Sequence, residues 1–178
     1  MAEGECTSQK GRLSNHTKLK AYLLCYVPSP LFPAHWSLWI PYDGNLGLGI
    51  RIHVTGDALN GFQHDFDRWY DPKTDDRHPR LIELGMIDAS SLPPIEPVGV
   101  CSHGTEGNGL RVCKALELLS WEIPAPGPSL RSSGSTAAHS RVQIQNCQSW
   151  LRQFVDLLIA KGVIAGEARH VIDTAPQH

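Results

Sequence analysis

From residue 18 to residue 27 the side chains alternate. Leu19, Ala21, Leu23, Cys25 and Val27 fall on one side, and Lys18, Lys20, Tyr22, Leu24 and Tyr26 on the other. A period of two is the signature of a strand. The same period returns over residues 35–40, where Trp36, Leu38 and Ile40 oppose His35, Ser37 and Trp39. Pro41 and the turn residues Tyr42-Asp43-Gly44-Asn45 close that strand. Residues 50–55 form a third strand, with Ile50, Ile52 and Val54 opposite Arg51, His53 and Thr55. The second and third strands read as hairpin neighbours, which puts both histidines on the more polar face of one sheet. Residues 61–70 alternate without a clean apolar side and suit a sheet edge. Residues 71–80 are a charged turn, 81–87 a short fifth strand, and 88–97 a loop rich in Pro and Ser.

The period then changes. Glycines at 99, 104, 107 and 109 mark a connection, and residues 110–121 take helical spacing. Pro124-Ala125-Pro126-Gly127-Pro128-Ser129 is a stiff loop, followed by a run of small residues over 132–140 and a short approach strand over 141–145. A helix opens at Cys147, with Leu151, Phe154 and Leu158, joined by Trp150 and Leu157, as its buried stripe. It ends at Lys161-Gly162, a cation in the last turn followed by a C-cap glycine. A short amphipathic piece covers 166–172. No internal repeat is present. The pattern predicts one α+β domain over 1–178, with 1–17 as a polar tail and an antiparallel sheet packed against the helix that carries Cys147.

Composition narrows the function classes. The chain has 178 residues, 41% hydrophobic and 19% charged, which suits a soluble globular domain with a substantial core. Net charge is −2, from 16 basic and 18 acidic residues, and no run of Lys and Arg makes a nucleic-acid face. The N-terminal residues are polar, no apolar run reaches transmembrane length, and no membrane anchor is expected. The five cysteines have no short spacing of a zinc or redox pair. A reduced, cytoplasmic setting without a cofactor is the expectation, and oligomeric state is not legible.

The chemistry centres on Gln145-Asn146-Cys147-Gln148-Ser149-Trp150. A thiol on the first turn of a helix meets free N–H groups and the positive end of the helix dipole, which favour the thiolate. Catalysis by such a thiol requires an imidazole within hydrogen-bond reach and a third group to fix its tautomer. The same helix start could hold an oxyanion on its N–H groups. His35 and His53 are the upstream candidates. A cysteine at a helix start is also a common structural residue, and spacing alone does not separate the two readings. Cys25 reads as a buried inert thiol. Cys101-Ser102-His103 lacks the partners of a tetrahedral metal set, and no metal site is expected. His64 with Asp65, Asp67 and Arg68 reads as a solvated strand face.

Three stretches carry a resemblance: Ala34-His35-Trp36-Ser37-Leu38-Trp39-Ile40, Arg51-Ile52-His53-Val54 and Asn146-Cys147-Gln148-Ser149-Trp150. Together they resemble the circularly permuted NlpC-type papain-like superfamily, which includes the lecithin:retinol acyltransferase family and related phospholipase A/acyltransferases. The order His, His, Asn-Cys matches the permuted arrangement. The resemblance implies a permuted papain-like fold, with Cys147 as nucleophile, His35 as base and His53 as orienting residue. The chain departs from the pattern in three places. Residues 41–49 lengthen the gap between the histidines, Gln148 stands where relatives carry an acid, and Glu167-Ala168-Arg169-His170 precedes a polar tail in place of an apolar anchor. A membrane-lipid substrate is therefore disfavoured. The chain is also similar to a fungal group of small proteins sharing the His-Trp-Ser-Leu and Asn-Cys-Gln-x-Trp stretches, some of them beside secondary-metabolite pathways.

The expected function is a small cysteine hydrolase or acyltransferase acting on a thioester, ester or amide. Its partner would be a small-molecule substrate, bordered by Trp39, Arg51, Asn146, Ser129 and Arg131. Two alternatives stay open. One is a non-covalent acid–base enzyme, a cyclase or isomerase of secondary metabolism, in which the histidines work without the thiol. The other is a non-catalytic small-molecule-binding module.

Overall fold

The computed structural model describes residues 18–27, 31–42, 47–94, 108–129 and 145–178. The expectations for 1–17, for the connection over 98–107, for 132–140, for the approach strand over 141–144, and for Cys101-Ser102-His103 and Arg131 lie outside the described residues.

Five strands come first: β1 (Lys18–Tyr26), β2 (His35–Pro41), β3 (Gly49–Asp57), β4 (Gly61–Tyr70) and β5 (Arg80–Asp88). A single 3₁₀ turn, Ala89–Ser91, leads to α1 (Asn108–Ser120), α2 (Cys147–Ala160) and α3 (Glu167–Thr174). The strands form one antiparallel sheet in the order β4-β3-β2-β1-β5. The fold is mixed α+β, and β4 lies at the edge that its unclean alternation predicts. Pro41 pairs with Gly49 where the β2–β3 hairpin begins. Only glycine fits there, because a Cβ would lie 2.3 Å from the Ile40 carbonyl oxygen.

The main core sits between one sheet face and the helices. Leu23, Cys25, Trp36, Leu38, Ile40, Ile50, Ile52 and Val54 face Trp150, Leu151, Phe154, Val155 and Leu158 of α2. The α2 positions recur at helical spacing, so one stripe of the helix buries against the alternate residues of three strands. Burying each of these large side chains contributes roughly 1.5–3 kcal/mol. Asn146 starts α2 by accepting hydrogen bonds from the Gln148 and Ser149 N–H groups, both at 3.0 Å. Ser149 Oγ accepts in return from the Asn146 N–H at 2.9 Å, completing a capping box. The helix stops where Gly162 takes a φ of +68°, as Lys161-Gly162 predicts.

The opposite sheet face departs from the sequence reading. Tyr22, Leu24 and Tyr26, which alternation assigns to the polar side, are buried there with Trp39 and pack against Tyr70. The end of β4 and the charged turn after it supply the cover. The Arg77 guanidinium lies over the Tyr26 ring, 4.5 Å from its centroid.

Two irregular segments fasten the sheet. Phe62 N–H donates to Pro126 O (2.7 Å) and Ser129 N–H to Ala58 O (2.8 Å), so the proline loop covers part of the β4 edge. Near the C-terminal end, Pro176 O accepts from Trp36 Nε1 (2.8 Å) and Cys25 Sγ (3.3 Å). Gln177 O accepts from Ala34 N (2.8 Å) and Gln148 Nε2 (3.0 Å).

Candidate functional site

The period of two that builds β2 and β3 projects His35 and His53 from the same face, and their rings meet. His35 Nε2 lies 3.0 Å from His53 Nδ1, with ring centroids 5.1 Å apart and planes at 74°. One nitrogen of this contact carries a proton and the other accepts it, so at least one ring is neutral. On the far side, His53 Nε2 lies 3.5 Å from Asp65 Oδ2, the residue opposite it on β4. That separation gives electrostatic attraction without a formed hydrogen bond, and His53 Nε2 is a buried polar atom with no hydrogen-bond partner among the described residues. Ser37 Oγ, on the same face of β2, is the second such atom. Buried polar atoms are almost always paired, so two orphans on one face mark it as unusual.

Burial sets the protonation state. It pushes His53 down to about 3 and His35 down to about 4 from 6.5, and the nearby guanidinium of Arg51 pushes both the same way, as does that of Arg77. Both rings are therefore neutral at pH 7.

A network of aromatic and charged groups borders the pair. Arg51, nearly buried, donates from Nε to Asp67 Oδ2 (2.8 Å) and from Nη1 to Tyr26 OH (3.1 Å). Its guanidinium stacks 4.4 Å from the Tyr70 ring centroid. The Tyr26 and Tyr70 hydroxyls are 2.8 Å apart, and Tyr70 OH donates to Asp75 Oδ2 at 2.6 Å. Burial and the Asp75 hydrogen bond raise the Tyr70 phenol well above its usual range. Arg77 Nε donates to Asp75 Oδ1 (2.8 Å), and that contact holds the Asp75 carboxyl far below the usual carboxylate range. The Tyr26 ring lies 5.6 Å from the His35 ring, joining this network to the histidine pair. An open cleft of about 830 Å³ runs along the end of β4 and the following turn, with Asp67, Arg68, Tyr70, Asp75 and Arg77 in its wall.

Cys147 belongs to the core cluster between the sheet and α2, together with Cys25 and Trp36, and meets the start of β2, the strand that His35 opens. The groups that bias its sulfur toward the anion are the backbone N–H groups of Trp36, Gln148 and Cys147 itself. Burial outweighs them, and the thiol pKa is raised instead of lowered. Of the expected three-residue site, the two histidines come together, and the Cys147 sulfur lies at the backbone N–H of Trp36, the residue next to His35. Gln148 donates from Nε2 to Ala34 O (2.8 Å) as well as to Gln177 O, so it fastens α2 to the start of β2.

The expected substrate-binding residues scatter. Trp39 is fully buried against Tyr22, with ring centroids 5.6 Å apart. Asn146 spends its side-chain oxygen on the α2 cap. Ser129 sits at the β3–β4 turn, with Oγ 3.5 Å from Gln145 O. Arg51 alone borders the histidines. His64 departs from the solvated reading: its Nε2 lies 3.0 Å from Ile123 O and 3.2 Å from Ser120 O, and its ring packs against Trp121 and Trp150. Sequence reasoning missed Tyr26, Asp65, Tyr70, Asp75 and Arg77 as neighbours of the pair. The density of Asp, Arg and Tyr over 65–77 was the available signal.

No helix among the described residues is long and apolar enough to cross a membrane. No curated protein and no solved structure matches the chain. A family model matches residues 21–165, a span that contains the whole histidine face as well as the Cys147 helix, and the chain belongs to that family of unknown function, DUF6540.

Proposed function

We propose that this protein is a non-covalent acid–base enzyme, moving a proton to or from a small molecule at the His35–His53 pair. The observation that carries the reading is the 3.0 Å contact between a buried imidazole, His53, and a half-buried one, His35, both neutral, with Asp65 in line behind them. If His53 Nε2–H is turned toward Asp65, His53 Nδ1 is left as an acceptor. It then takes the Nε2–H of His35, and the lone pair falls on His35 Nδ1. His35 lies on the partly exposed side of the pair, where a substrate can meet it. On accepting a proton, His35 becomes a cation whose charge is spread through His53 toward Asp65. Arg51 and Arg77 favour negative charge developing on the substrate, as in an enolate. The order of these parts suits an isomerisation or cyclisation through a stabilised anion.

The covalent reading has one observation in its favour, the three backbone N–H groups around the Cys147 sulfur. The permuted papain-like arrangement goes with that reading. It is supported by the order of the motifs and by the seat of α2 on β2, where the Cys147 sulfur lies at the Trp36 N–H, and it requires the His35 ring within reach of that sulfur.

Two probes separate the readings. Acetoacetate in D₂O, followed by proton NMR, reports catalysed exchange at C2. p-Nitrophenyl acetate, followed by mass spectrometry of the protein, reports an acyl adduct. Acid–base catalysis predicts exchange that survives Cys147→Ser and disappears in His35→Ala. An acetyl group on Cys147 of the native protein, with exchange indifferent to His35→Ala, would overturn the proposal in favour of the thiol.

A further inference from the structure

Where the charged turn meets the end of β1, a second cleft of about 400 Å³ is lined by Cys25, Val27, Arg77, His78, Arg80 and His178. Four of these six side chains are cations or imidazoles, and none is an acid. Arg80 forms no ion pair with any described residue, although it is the first residue of β5 and exposed. A guanidinium without an ion-pair partner among the described residues, at the mouth of a concave surface, is a donor fork open to an acceptor.

The backbone around it is equally specific. His78 has a φ of +45°, which makes it the one non-glycine residue among those described in the left-handed region. A side chain held there costs about 1 kcal/mol or more and persists only where the surroundings enforce it. Here the His78 N–H donates to Asp75 O at 2.9 Å, and Arg77 on its other side is locked by Asp75 Oδ1. The turn thus presents Arg77, His78 and Arg80 together, with Pro79 buried between them. Arg77 also lies over Tyr26, whose ring is the neighbour of His35.

We infer that this cleft is an anion site, and that it takes the carboxylate or phosphate of a small molecule. Arg80 supplies the unpaired fork, and Arg77 forms the wall shared with the histidine side. His78 closes the turn around the bound oxygens. The volume accommodates a small organic acid or phosphate ester and not a polymer. The inference stands apart from the acid–base reading above, and the binding can be measured without turnover.

The test is a titration of ¹⁵N-labelled full-length protein with sodium phosphate and, separately, sodium acetate. Sodium chloride at equal ionic strength serves as control, and the backbone amides of Arg77, His78 and Arg80 are followed. The expected result is a saturable shift at those three amides that chloride does not reproduce. Affinity should weaken by at least about tenfold in Arg80→Gln, which corresponds to loss of roughly 1.4 kcal/mol, and stay unchanged in His35→Ala. Saturation by phosphate alone assigns a phosphate ester, and saturation by acetate assigns a carboxylate. Shifts that chloride reproduces, no saturation with either anion, or equal affinity in Arg80→Gln would each overturn the subsite. His35→Ala keeps the two proposals apart. If the acid–base reading fails, exchange is indifferent to that variant while anion binding stands; if the subsite fails, binding is lost while exchange still depends on His35.

Discussion

Acidification should destabilise this protein through two particular imidazoles. In the folded chain burial holds His53 at about 3 and His35 at about 4, against 6.5 in the unfolded chain. Below pH 6.5 the unfolded chain gains protons that the folded pair refuses, so stability rises with pH across this window and falls as pH drops. It levels off only when the folded pair itself begins to protonate. Each refused proton is worth roughly 1.4 kcal/mol per pH unit, so the pair contributes a slope of up to about 2.7 kcal/mol per unit between about pH 6 and pH 4. From pH 6.5, where each unfolded imidazole is half protonated, to pH 5, that amounts to roughly 3 kcal/mol, a large part of the stability of a domain this size. His35 is partly exposed, so its half of this figure is an upper bound. Urea unfolding followed by tryptophan fluorescence, at several pH values between about 7 and 4.5, gives the slope directly. His53→Gln and His35→Gln should each lower the slope by up to about 1.4 kcal/mol per unit, whatever they do to stability at pH 7. Parallel slopes in wild type and both variants would show that the imidazoles titrate normally, and the account of a buried neutral pair would be wrong.

Three further outcomes are expected. Gly49→Ala places a Cβ 2.3 Å from Ile40 O and 2.7 Å from Trp39 Nε1, so the β2–β3 hairpin must shift. A loss of about 1–3 kcal/mol in thermal or urea unfolding is expected, and a neutral result would contradict the close approach. Asn146→Ala removes the α2 cap at a cost of about 1 kcal/mol, while Asn146→Ser should recover most of it; equal loss in both would mean the side chain acts in some other way. Because burial raises its pKa, Cys147 should react with iodoacetamide more than about tenfold slower in the native protein than in urea. Fast native labelling at that position would contradict the buried thiol.

Much of this fold is legible in the sequence because its strands keep period two. Trp36, Leu38 and Ile40 and their partners Ile50 and Ile52 announce the face that α2 covers, and Leu151, Phe154 and Leu158 announce the covering stripe. The same alternation already states that His35 and His53 point away from α2. The family resemblance joins these histidines to Cys147, whose sulfur lies at the Trp36 N–H beside His35. The second buried face was less legible. Lys18 and Lys20 make the Tyr22 side of β1 read as polar, and nothing local says that Tyr70 and the turn over 71–79 will fold back onto it. Contacts such as Arg77 on Tyr26 join residues far apart in sequence, and periodicity carries no information about them. The conformation of His78 is equally silent, since it is set by Asp75 and the surrounding turn.

The carbonyls of Pro176 and Gln177 also bear on how the chain reaches its native state. They receive hydrogen bonds from Cys25, Trp36 and Gln148, with sequence separations of 151, 140 and 29 residues, and Ala34 donates to the same segment. Closing so large a loop is entropically costly, and topologies rich in such closures fold slowly. During synthesis β1 and β2 emerge well before the segment that satisfies their indole and thiol donors. Until that segment follows, the apolar side of the hairpin has neither its helix nor its final polar partners, and an exposed hairpin of this kind is prone to aggregate.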